Sequence, residues 1–435
     1  MAIRSAAAPS HEHGAAGRTA AHSESTRIHP VSEPLIVIGN GMAAARFVDE
    51  LAQRALGRYA VAVIGEEPRL AYNRVLLSAL LADEVGFDDI ELKPARWWRD
   101  RGVTLRYGER ATQVDATARN VTLAGGAQLA FSKLVFATGS QPIKPDIPGM
   151  DLPEVLTFRD VDDVDAMAAT KAAGARVVVI GGGLLGLEAA YGLAKAGARV
   201  TLLHLMDRLM ERQLDHRAAL MLKRAVEAKG IAVRLQAQTA RIAGDGRVEA
   251  VELRDGTSTA ADAVVVAVGI RANIALARTA GLEVGRGIVV DDHLETNAAG
   301  VHAIGECAEH RGCCYGLVEP AYEQAQLLAR RLAGERASYP GSVLATNLKV
   351  SGVNVFSAGD FLATTDDAEE IVLSDPAVGV YKKLIIAHDR LVGAVLFGDT
   401  ADGLWYLDLI RAGTSVARLR DDLVFGRALA TQAAA

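Results

Sequence analysis

Two short glycine-rich segments constrain this chain more than any other feature of its sequence. The first, GNGMAA, begins at Gly39, and the second, GGGLLG, begins at Gly181. Each follows a short apolar run, at residues 35–38 or 177–180, and each precedes a stretch with the apolar periodicity of a helix. A glycine-rich turn between a strand and a helix lets a pyrophosphate approach the helix N-terminus. The repeated pattern therefore predicts two dinucleotide-binding units.

The glycines of such a turn have different tasks. The first permits a tight turn, the second lets the backbone approach a phosphate, and the third allows the helix to pack close to the strand. A side chain at Gly41 or Gly183 would obstruct the phosphate. Ala44 takes the third position of the first segment, which is an accepted variant. The residues predicted to contact the two dinucleotides are Gly39, Gly41, Met42, Ala43, Gly181, Gly183, Leu185 and Gly186.

Length and composition exclude several classes of protein. A chain of 435 residues is too long for a single hydrophobic core, so more than one domain is expected. The net charge is −6 with both signs interspersed, which argues against a nucleic-acid partner. Cys307, Cys313 and Cys314 have neither metal-site nor disulfide spacing, which is typical of a cytoplasmic protein.

One stretch, residues 177–194, is apolar enough to suggest a membrane span. It contains the second glycine segment and the charged residue Glu188. These features predict a buried strand, a turn and a helix instead, and no contact with a membrane.

The remaining patterns predict the domain organisation. Residues 1–32 are rich in Ala, Ser, Arg and His, which favours disorder over a metal-binding or targeting tail. Strand-like runs at 288–290 and 301–304 suggest that the chain returns to the first unit, and short β-prone runs begin after residue 340. We predict an α/β protein with two Rossmann-like units and a C-terminal α+β domain, divided as follows: tail 1–32; first unit 33–150 and 270–335; second unit 151–269; C-terminal domain 340–435.

Three further motifs accompany the two glycine-rich segments, one between them and two after the second. They are ATG at Ala137, AIGE at Ala303 and EPAYEQA at Glu319. With these landmarks the chain resembles the flavoprotein family with two dinucleotide-binding domains that includes ferredoxin and rubredoxin reductases. The resemblance implies that the first unit binds FAD and that the second binds NADH or NADPH.

Longer segments resemble one branch of that family. EEPRLAYNRVLLS (66–78), MERQLD (210–215) and NLKVSGVNVFSAGD (347–360) are similar to the flavin portion of NAD(P)H nitrite reductase large subunits and to the reductase portions of assimilatory nitrate systems. Those large reductases continue into iron–sulfur and sirohaem segments, whereas three cysteines cannot supply the four ligands of a usual cluster. The resemblance implies an electron-input module for a separate protein acceptor, either a nitrate or nitrite reductase or a small iron–sulfur protein. A homodimer is compatible with this reading.

The resemblance also implies roles for residues of the FAD unit. Glu66, at the end of the second strand, is expected to bind the adenosine ribose. Glu306 stands where relatives have an aspartate that binds the ribityl chain, and Pro320 lies where a helix would begin that stabilises negative charge on the flavin. The predicted flavin contacts are completed by Ala137, Thr138, Gly139 and Gly305.

The nicotinamide unit departs from the common pattern at one position. His204 stands where an NAD-preferring site has an acid, and Gly269 closes the last strand of the unit. The missing acid leaves two alternatives. Either Arg208 or Arg199 supplies a positive charge for a 2′-phosphate, which favours NADPH or the use of both cofactors, or His204 hydrogen-bonds the ribose of NADH.

Glu188 and Arg74 are the predicted catalytic pair. Relatives place a glutamate at the position of Glu188, near the nicotinamide and flavin rings, and some pair it with a lysine that is Ala79 here. Arg74 is the nearest alternative partner, and the competing interpretation is that Glu188 only faces its own helix. No cysteine lies within residues 72–78, which argues against thiol–disulfide chemistry.

The sequence therefore predicts an FAD-dependent NAD(P)H oxidoreductase that passes electrons to a nitrate or nitrite reductase. One alternative is a ferredoxin or rubredoxin reductase, or an NADH oxidase. Another, of a different class, is a redox sensor whose C-terminal domain changes its contacts with the cofactor state.

Overall fold

A computed structural model describes residues 32–55, 57–168, 170, 174–350 and 352–433. The predicted disordered tail lies outside the described residues, apart from Ser32. The strands are β1 Glu33–Ile38, β2 Tyr59–Gly65, β3 Thr104–Tyr107, β4 Ala111–Asp115, β5 Asn120–Leu123, β6 Gln128–Ala130, β7 Lys133–Phe136, β8 Ser140–Pro142, β9 Val155–Thr157, β10 Arg176–Ile180, β11 Arg199–Leu203, β12 Ala232–Arg234, β13 Thr239–Ala243, β14 Ala250–Leu253, β15 Ser258–Ala260, β16 Ala263–Val266, β17 Ile270–Ala272, β18 Ile288–Val290, β19 Val301–Ala303, β20 Ala308–His310, β21 Ala345–Val350, β22 Val353–Gly359, β23 Glu369–Asp375, β24 Val380–Ala387 and β25 Arg390–Phe397.

The α-helices are α1 Met42–Ala55, α2 Leu77–Leu81, α3 Phe87–Ile90, α4 Ala95–Asp100, α5 Val161–Ala168, α6 Leu184–Lys195, α7 His216–Glu227, α8 Ala275–Thr279, α9 Val318–Leu332, α10 Gly403–Ala412 and α11 Arg427–Ala433. Short 3₁₀ turns occur at Arg74–Leu76, Gly305–Cys307 and Leu423–Phe425.

The first unit is built on a parallel sheet in the order β19-β7-β1-β2-β3. Its central strands are almost entirely apolar, because helices and loops cover both faces of a parallel sheet. Helix α1 follows β1 directly, and α9 packs against α1. The carboxyl ends of β1, β2, β7 and β19 therefore meet at one edge of the sheet, where the first glycine segment lies.

The second unit repeats this arrangement. Its parallel sheet has the order β12-β11-β10-β16-β9. The apolar stretch 177–194 forms β10 and α6, as the glycines and Glu188 predicted. Among the described residues, no helix is long and apolar enough to cross a membrane.

The two units are joined where the chain passes between them. On the way out it forms β8, and on the return it forms β17, and these two strands pair antiparallel. Each unit also carries a three-stranded antiparallel sheet, β4-β5-β6 or β13-β14-β15. The predicted return to the first unit occurs through β19, whereas β18 pairs with β20 outside the large sheet.

The C-terminal segment forms an antiparallel sheet in the order β21-β22-β25-β24-β23, followed by α10. The β-prone runs expected after residue 340 include one at 348–355, which is divided between two strands, because β21 ends at Val350 and β22 begins at Val353. Strand β23 was not predicted, because it lies at the sheet edge and its side chains are mostly exposed and polar.

A buried polar contact joins this sheet to the second unit. Tyr381 on β24 donates a hydrogen bond to Asp215 Oδ2 at 2.6 Å. The other oxygen of Asp215 accepts from the backbone N–H of Ala218 and so caps the N-terminus of α7. Lys383 Nζ lies 3.6 Å from the same carboxylate. The C-terminal sheet is thus anchored to the start of a helix in the second unit.

We expect Tyr381→Phe to lower the free energy of unfolding by about 1–3 kcal/mol, because it removes a donor from a buried carboxylate. Urea unfolding measures this loss. Tyr107→Phe is the control, since Tyr107 is 50% exposed and should show no change. An equal response of the two variants would contradict the anchoring role of Asp215.

Candidate cofactor and electron-transfer site

A cavity of about 920 Å³ opens at the carboxyl edge of the first sheet. This size falls within the range of small-molecule and cofactor pockets. Ten residues of the predicted site line it together: Gly39, Gly41, Met42, Ala43, Glu66, Arg74, Ala137, Thr138, Gly139 and Glu306. Gly305 and Pro320 lie beside lining residues, in the same 3₁₀ turn as Glu306 and in α9. The sequence-predicted flavin residues are therefore brought to one place.

The glycines of the first segment meet two different requirements. Gly39 has φ +112°, and a Cβ there would lie 2.1 Å from the carbonyl oxygen of Ala137. The backbone geometry of the turn is therefore sufficient to exclude a side chain at Gly39. A Cβ at Gly41 would meet no protein atom within 4 Å. The space beside Gly41 is open to the cavity, which fits the close approach of a phosphate.

The second segment has the same geometry. Gly181 has φ +124°, and its Cβ would lie 2.2 Å from the carbonyl oxygen of Ala267. A Cβ at Gly183 would meet nothing within 4 Å, although Gly183 stands at the N-terminus of α6. Gly186 packs against Gly181 so closely that a Cβ would lie 1.9 Å from its carbonyl oxygen. Leu185 lies in the first turn of α6.

The acidic residues after β2 have distinct surroundings. Glu66 is largely exposed, and its carboxylate lies 3.8 Å from Arg110 Nε. Glu67 is more enclosed, because it accepts hydrogen bonds from Tyr72 at 2.7 Å and from the Arg74 guanidinium. Glu66 is thus the carboxylate that remains open for a ligand at this strand end.

Glu306 is held by two groups from distant parts of the chain. Its Oε2 accepts from Ser140 Oγ at 2.8 Å and pairs with Arg159 Nη2 at 2.5 Å. Arg159 also lines the cavity. Sequence reasoning missed Arg159, because nothing in the TFRD segment distinguishes it from a solvated loop arginine.

Helix α9 points its N-terminus at the cavity. Pro320 lies in the first turn of this helix, as predicted, and Val318 and Ala321 line the cavity. The buried Gln324 accepts a hydrogen bond from the backbone N–H of Gly305 at 2.7 Å. The helix is thereby fixed to the turn that carries Glu306, and its positive end faces the enclosed space.

The ring of His204 is buried against the second glycine segment. Its Nδ1 accepts a hydrogen bond from the backbone N–H of Gly182 at 2.9 Å, and its Nε2 lies 3.1 Å from Glu211 Oε2. Arg199 begins β11, so it lies roughly 13 Å from the strand end, given the rise of a strand. It is therefore not placed to bind a 2′-phosphate there. Gly269 has φ +126° at the end of the last strand of this unit.

Glu188 does not pair with Arg74. The Arg74 guanidinium instead contacts Glu67 and donates to the carbonyl oxygen of Arg159 at 2.9 Å. Among the described residues no hydrogen bond or ion pair reaches the Glu188 carboxyl. Burial raises the pKa of this carboxyl to about 7. Glu188 can therefore exchange a proton near neutral pH.

The raised pKa of Glu188 predicts a pH-dependent stability difference. The unfolded chain ionises this carboxyl above its usual pKa of about 4.3, whereas the folded chain resists ionisation until about pH 7. Glu188 therefore contributes to the free energy of unfolding at low pH, and this contribution is lost as the pH rises from about 4.3 to about 7. We expect Glu188→Gln to match the parent near pH 4 and to unfold at a higher temperature near pH 8. A pH-independent difference in melting temperature would contradict this assignment.

The cysteines show no sign of a redox pair or metal site. Cys307 is fully buried, and burial raises the pKa of its thiol. Cys313 is exposed, and Cys314 is half-buried. Within the ranges that the structure describes, no group of three or more His, Cys, Asp or Glu side chains could hold a metal ion.

The fold and the paired glycine turns agree with comparisons to known proteins. Residues 33–327 match the model of the pyridine nucleotide-disulphide oxidoreductase family. This chain belongs to that family. Residues 345–414 match the rubredoxin NAD+ reductase C-terminal domain. The family prediction is confirmed, as are the expected cofactors, FAD and NAD(P)H.

Two curated relatives come from Bacillus subtilis strain 168. The chain is 43% identical to a nitrite reductase [NAD(P)H] over 88% of its own length and 48% of the relative. It is 39% identical to an assimilatory nitrate reductase electron transfer subunit, over 86% of the chain and 48% of the relative. The chain thus spans about half the length of these relatives.

A solved structure has the same fold as this chain. The ferredoxin reductase of Rhodopseudomonas palustris superimposes with a TM-score of 0.83 and is 26% identical. The match covers 93% of this chain and all of that structure. The predicted α/β architecture with a C-terminal domain is therefore confirmed.

Proposed function

We propose that this oxidoreductase carries electrons from NAD(P)H through FAD to a nitrate- or nitrite-reducing centre outside the described residues. The observation that carries the proposal is the pair of open glycine turns, beside Gly41 and Gly183, on two sheets joined by β8 and β17. Two such turns in one chain fit two dinucleotides. A flavoprotein that takes a hydride from NAD(P)H needs a site for each of the two.

The proposed division of labour follows the two sheets. Residues 33–150 and 270–335 form the FAD unit, residues 151–269 the NAD(P)H unit, and residues 340–435 the C-terminal domain. The FAD contacts are Gly39, Gly41, Met42, Ala43, Glu66, Arg74, Ala137, Thr138, Gly139, Gly305, Glu306 and Pro320. The proposed NAD(P)H contacts are Gly181, Gly183, Leu185, Gly186 and Gly269, whereas the buried ring of His204 packs against the glycine turn.

Bound FAD supplies the conversion between two-electron hydride transfer and one-electron transfer. The chain contributes binding and charge. The N-terminus of α9 stabilises negative charge at the cavity, and Arg159 fixes the orientation of Glu306. Arg74 holds the side chain of Glu67 in position through their ion pair. Glu188 can hold a proton near neutral pH.

The choice of acceptor rests on the relatives. Two proteins that match most of this chain are a nitrite reductase and the electron transfer subunit of an assimilatory nitrate reductase. We therefore place the chain in nitrogen assimilation, with the nitrate- or nitrite-reducing protein as its partner.

The experiment reconstitutes the chain with FAD and mixes it anaerobically with NADH or NADPH, a purified assimilatory nitrate reductase or sirohaem nitrite reductase, and the matching substrate. We expect consumption of nitrate or nitrite that requires the chain, the nicotinamide and the partner. Flavin reduction without any consumption would reject these acceptors.

A second candidate is a rubredoxin or ferredoxin reductase. The match of residues 345–414 to the rubredoxin NAD+ reductase C-terminal domain favours it. Faster reduction of rubredoxin or ferredoxin than of the nitrogen reductases, in the same assay, would select this alternative. Rapid NADH oxidation by oxygen alone would indicate an oxidase.

A further inference from the structure

The end of strand β11 is where a dinucleotide-binding unit distinguishes a ribose hydroxyl from a 2′-phosphate. His204 follows this strand directly. The backbone N–H of Gly182 donates to its Nδ1, so that nitrogen carries no proton, and the ring proton of the neutral imidazole must lie on Nε2. A Cβ at Gly182 would lie 2.6 Å from the His204 ring. The ring is therefore part of the glycine turn and is not free to bind a ribose.

The proton on Nε2 points to a carboxylate. Nε2 lies 3.1 Å from Glu211 Oε2, so His204 donates a hydrogen bond to Glu211. A neutral donor orients the carboxylate without cancelling its charge. The Glu211 side chain is 23% exposed, compared with 9% for the His204 side chain. Glu211 thus keeps acceptor capacity toward the solvent at the end of β11.

We propose that Glu211, positioned by His204, binds the adenosine ribose and makes the chain select NADH over NADPH; this rests on the proposed role of the second unit. A carboxylate accepts hydrogen bonds from ribose hydroxyls and repels a 2′-phosphate. Glu211 lies seven positions after His204, so the acid comes from the MERQLD segment and not from the strand end.

The neighbouring side chains agree with this assignment. Leu205 and Met206 are 60% and 44% exposed, and they offer apolar surface for an adenine ring beside the strand end. Arg208 donates to Asp207 at 3.0 Å, which offsets its charge. Arg199 lies at the other end of β11.

The test compares two probes, ADP-ribose and 2′-phospho-ADP-ribose, by calorimetric titration of the FAD-loaded chain. We expect the wild type to bind ADP-ribose at least about tenfold more tightly, and Glu211→Gln to reduce that ratio about tenfold, as loss of a charged hydrogen-bonding group does. His204→Ala should reduce the ratio in the same direction. Glu227→Gln is the matched control, because Glu227 pairs with Lys223 on α7, and it should keep the wild-type ratio.

Flavin reduction by NADH gives an independent readout. Glu211→Gln should raise KM while kcat is unchanged, because the ribose is remote from the reacting ring. A wild-type preference for the 2′-phosphorylated probe would overturn the proposal, and this outcome does not require any variant to fold. An unchanged ratio in a folded Glu211→Gln would overturn it too. If neither probe binds and neither NADH nor NADPH reduces the flavin, the proposed function itself is refuted.

Discussion

Replacing Gly41 by valine should abolish FAD binding while the chain still folds. The backbone at Gly41 does not adopt positive φ, and a Cβ there meets no protein atom within 4 Å. The protein itself therefore tolerates a side chain at this position. The valine would fill the space that a pyrophosphate needs, and we expect FAD affinity to fall at least about 100-fold, because the hydrogen bonds from the helix N-terminus to the charged pyrophosphate, each worth about 1.5–3 kcal/mol, could not form.

The measurement is flavin content after incubation with FAD, combined with thermal unfolding of the FAD-free chain. Gly125→Val is the matched control. A Cβ at Gly125 would also meet no protein atom within 4 Å, and its φ is not positive, but Gly125 lies in the turn between β5 and β6. Full flavin content in Gly41→Val would show that the first glycine turn does not hold FAD.

Gly183→Val should have the complementary effect in the second unit. The variant should bind FAD normally, because the first cavity is untouched, yet reduction of the flavin by NADH should fall at least about 100-fold. Gly183 has φ −80°, and its Cβ position is open, so the fold accommodates the change. Valine is a poorer N-cap than glycine, and a small loss of stability of about 1 kcal/mol is expected.

Anaerobic mixing with NADH, followed by the decay of flavin absorbance, measures the reduction rate. Dithionite should still reduce the flavin of Gly183→Val, because it does not need the nicotinamide site. Fast reduction by NADH in this variant would show that the second glycine turn does not hold the nicotinamide nucleotide, and loss of the bound FAD would show that the two turns have been assigned to the wrong cofactors.

Much of the fold could be predicted because local chemistry specifies it. Each glycine segment stands between an apolar strand and a periodic helix, and both segments fold as strand, turn and helix. The return of β19 to the first sheet also followed from an apolar run in the right place. The hairpin between β21 and β22 was missed, since a continuous β-prone run does not reveal where it reverses.

The site was harder to predict wherever a contact joins distant parts of the chain. The bond from Arg159 to Glu306 spans 147 positions, and no sequence pattern links them. The sequence predicts Arg74 as the partner of Glu188. In the structure the guanidinium of Arg74 forms an ion pair with Glu67, the acidic residue nearest to it in the sequence. The sequence leaves His204 either as a ligand of the ribose or as the residue that replaces the usual acid. The structure turns its ring inward, onto Gly182, because a glycine there leaves room for it.

An anaerobic titration of the FAD-loaded chain with NADH tests the central claim, that one chain binds two dinucleotides and passes electrons between them. We predict that one equivalent of NADH bleaches one flavin per chain, and that Gly183→Val loses this response while its flavin remains bound. A chain that binds no FAD, or whose bound FAD is bleached by neither NADH nor NADPH, would contradict the account.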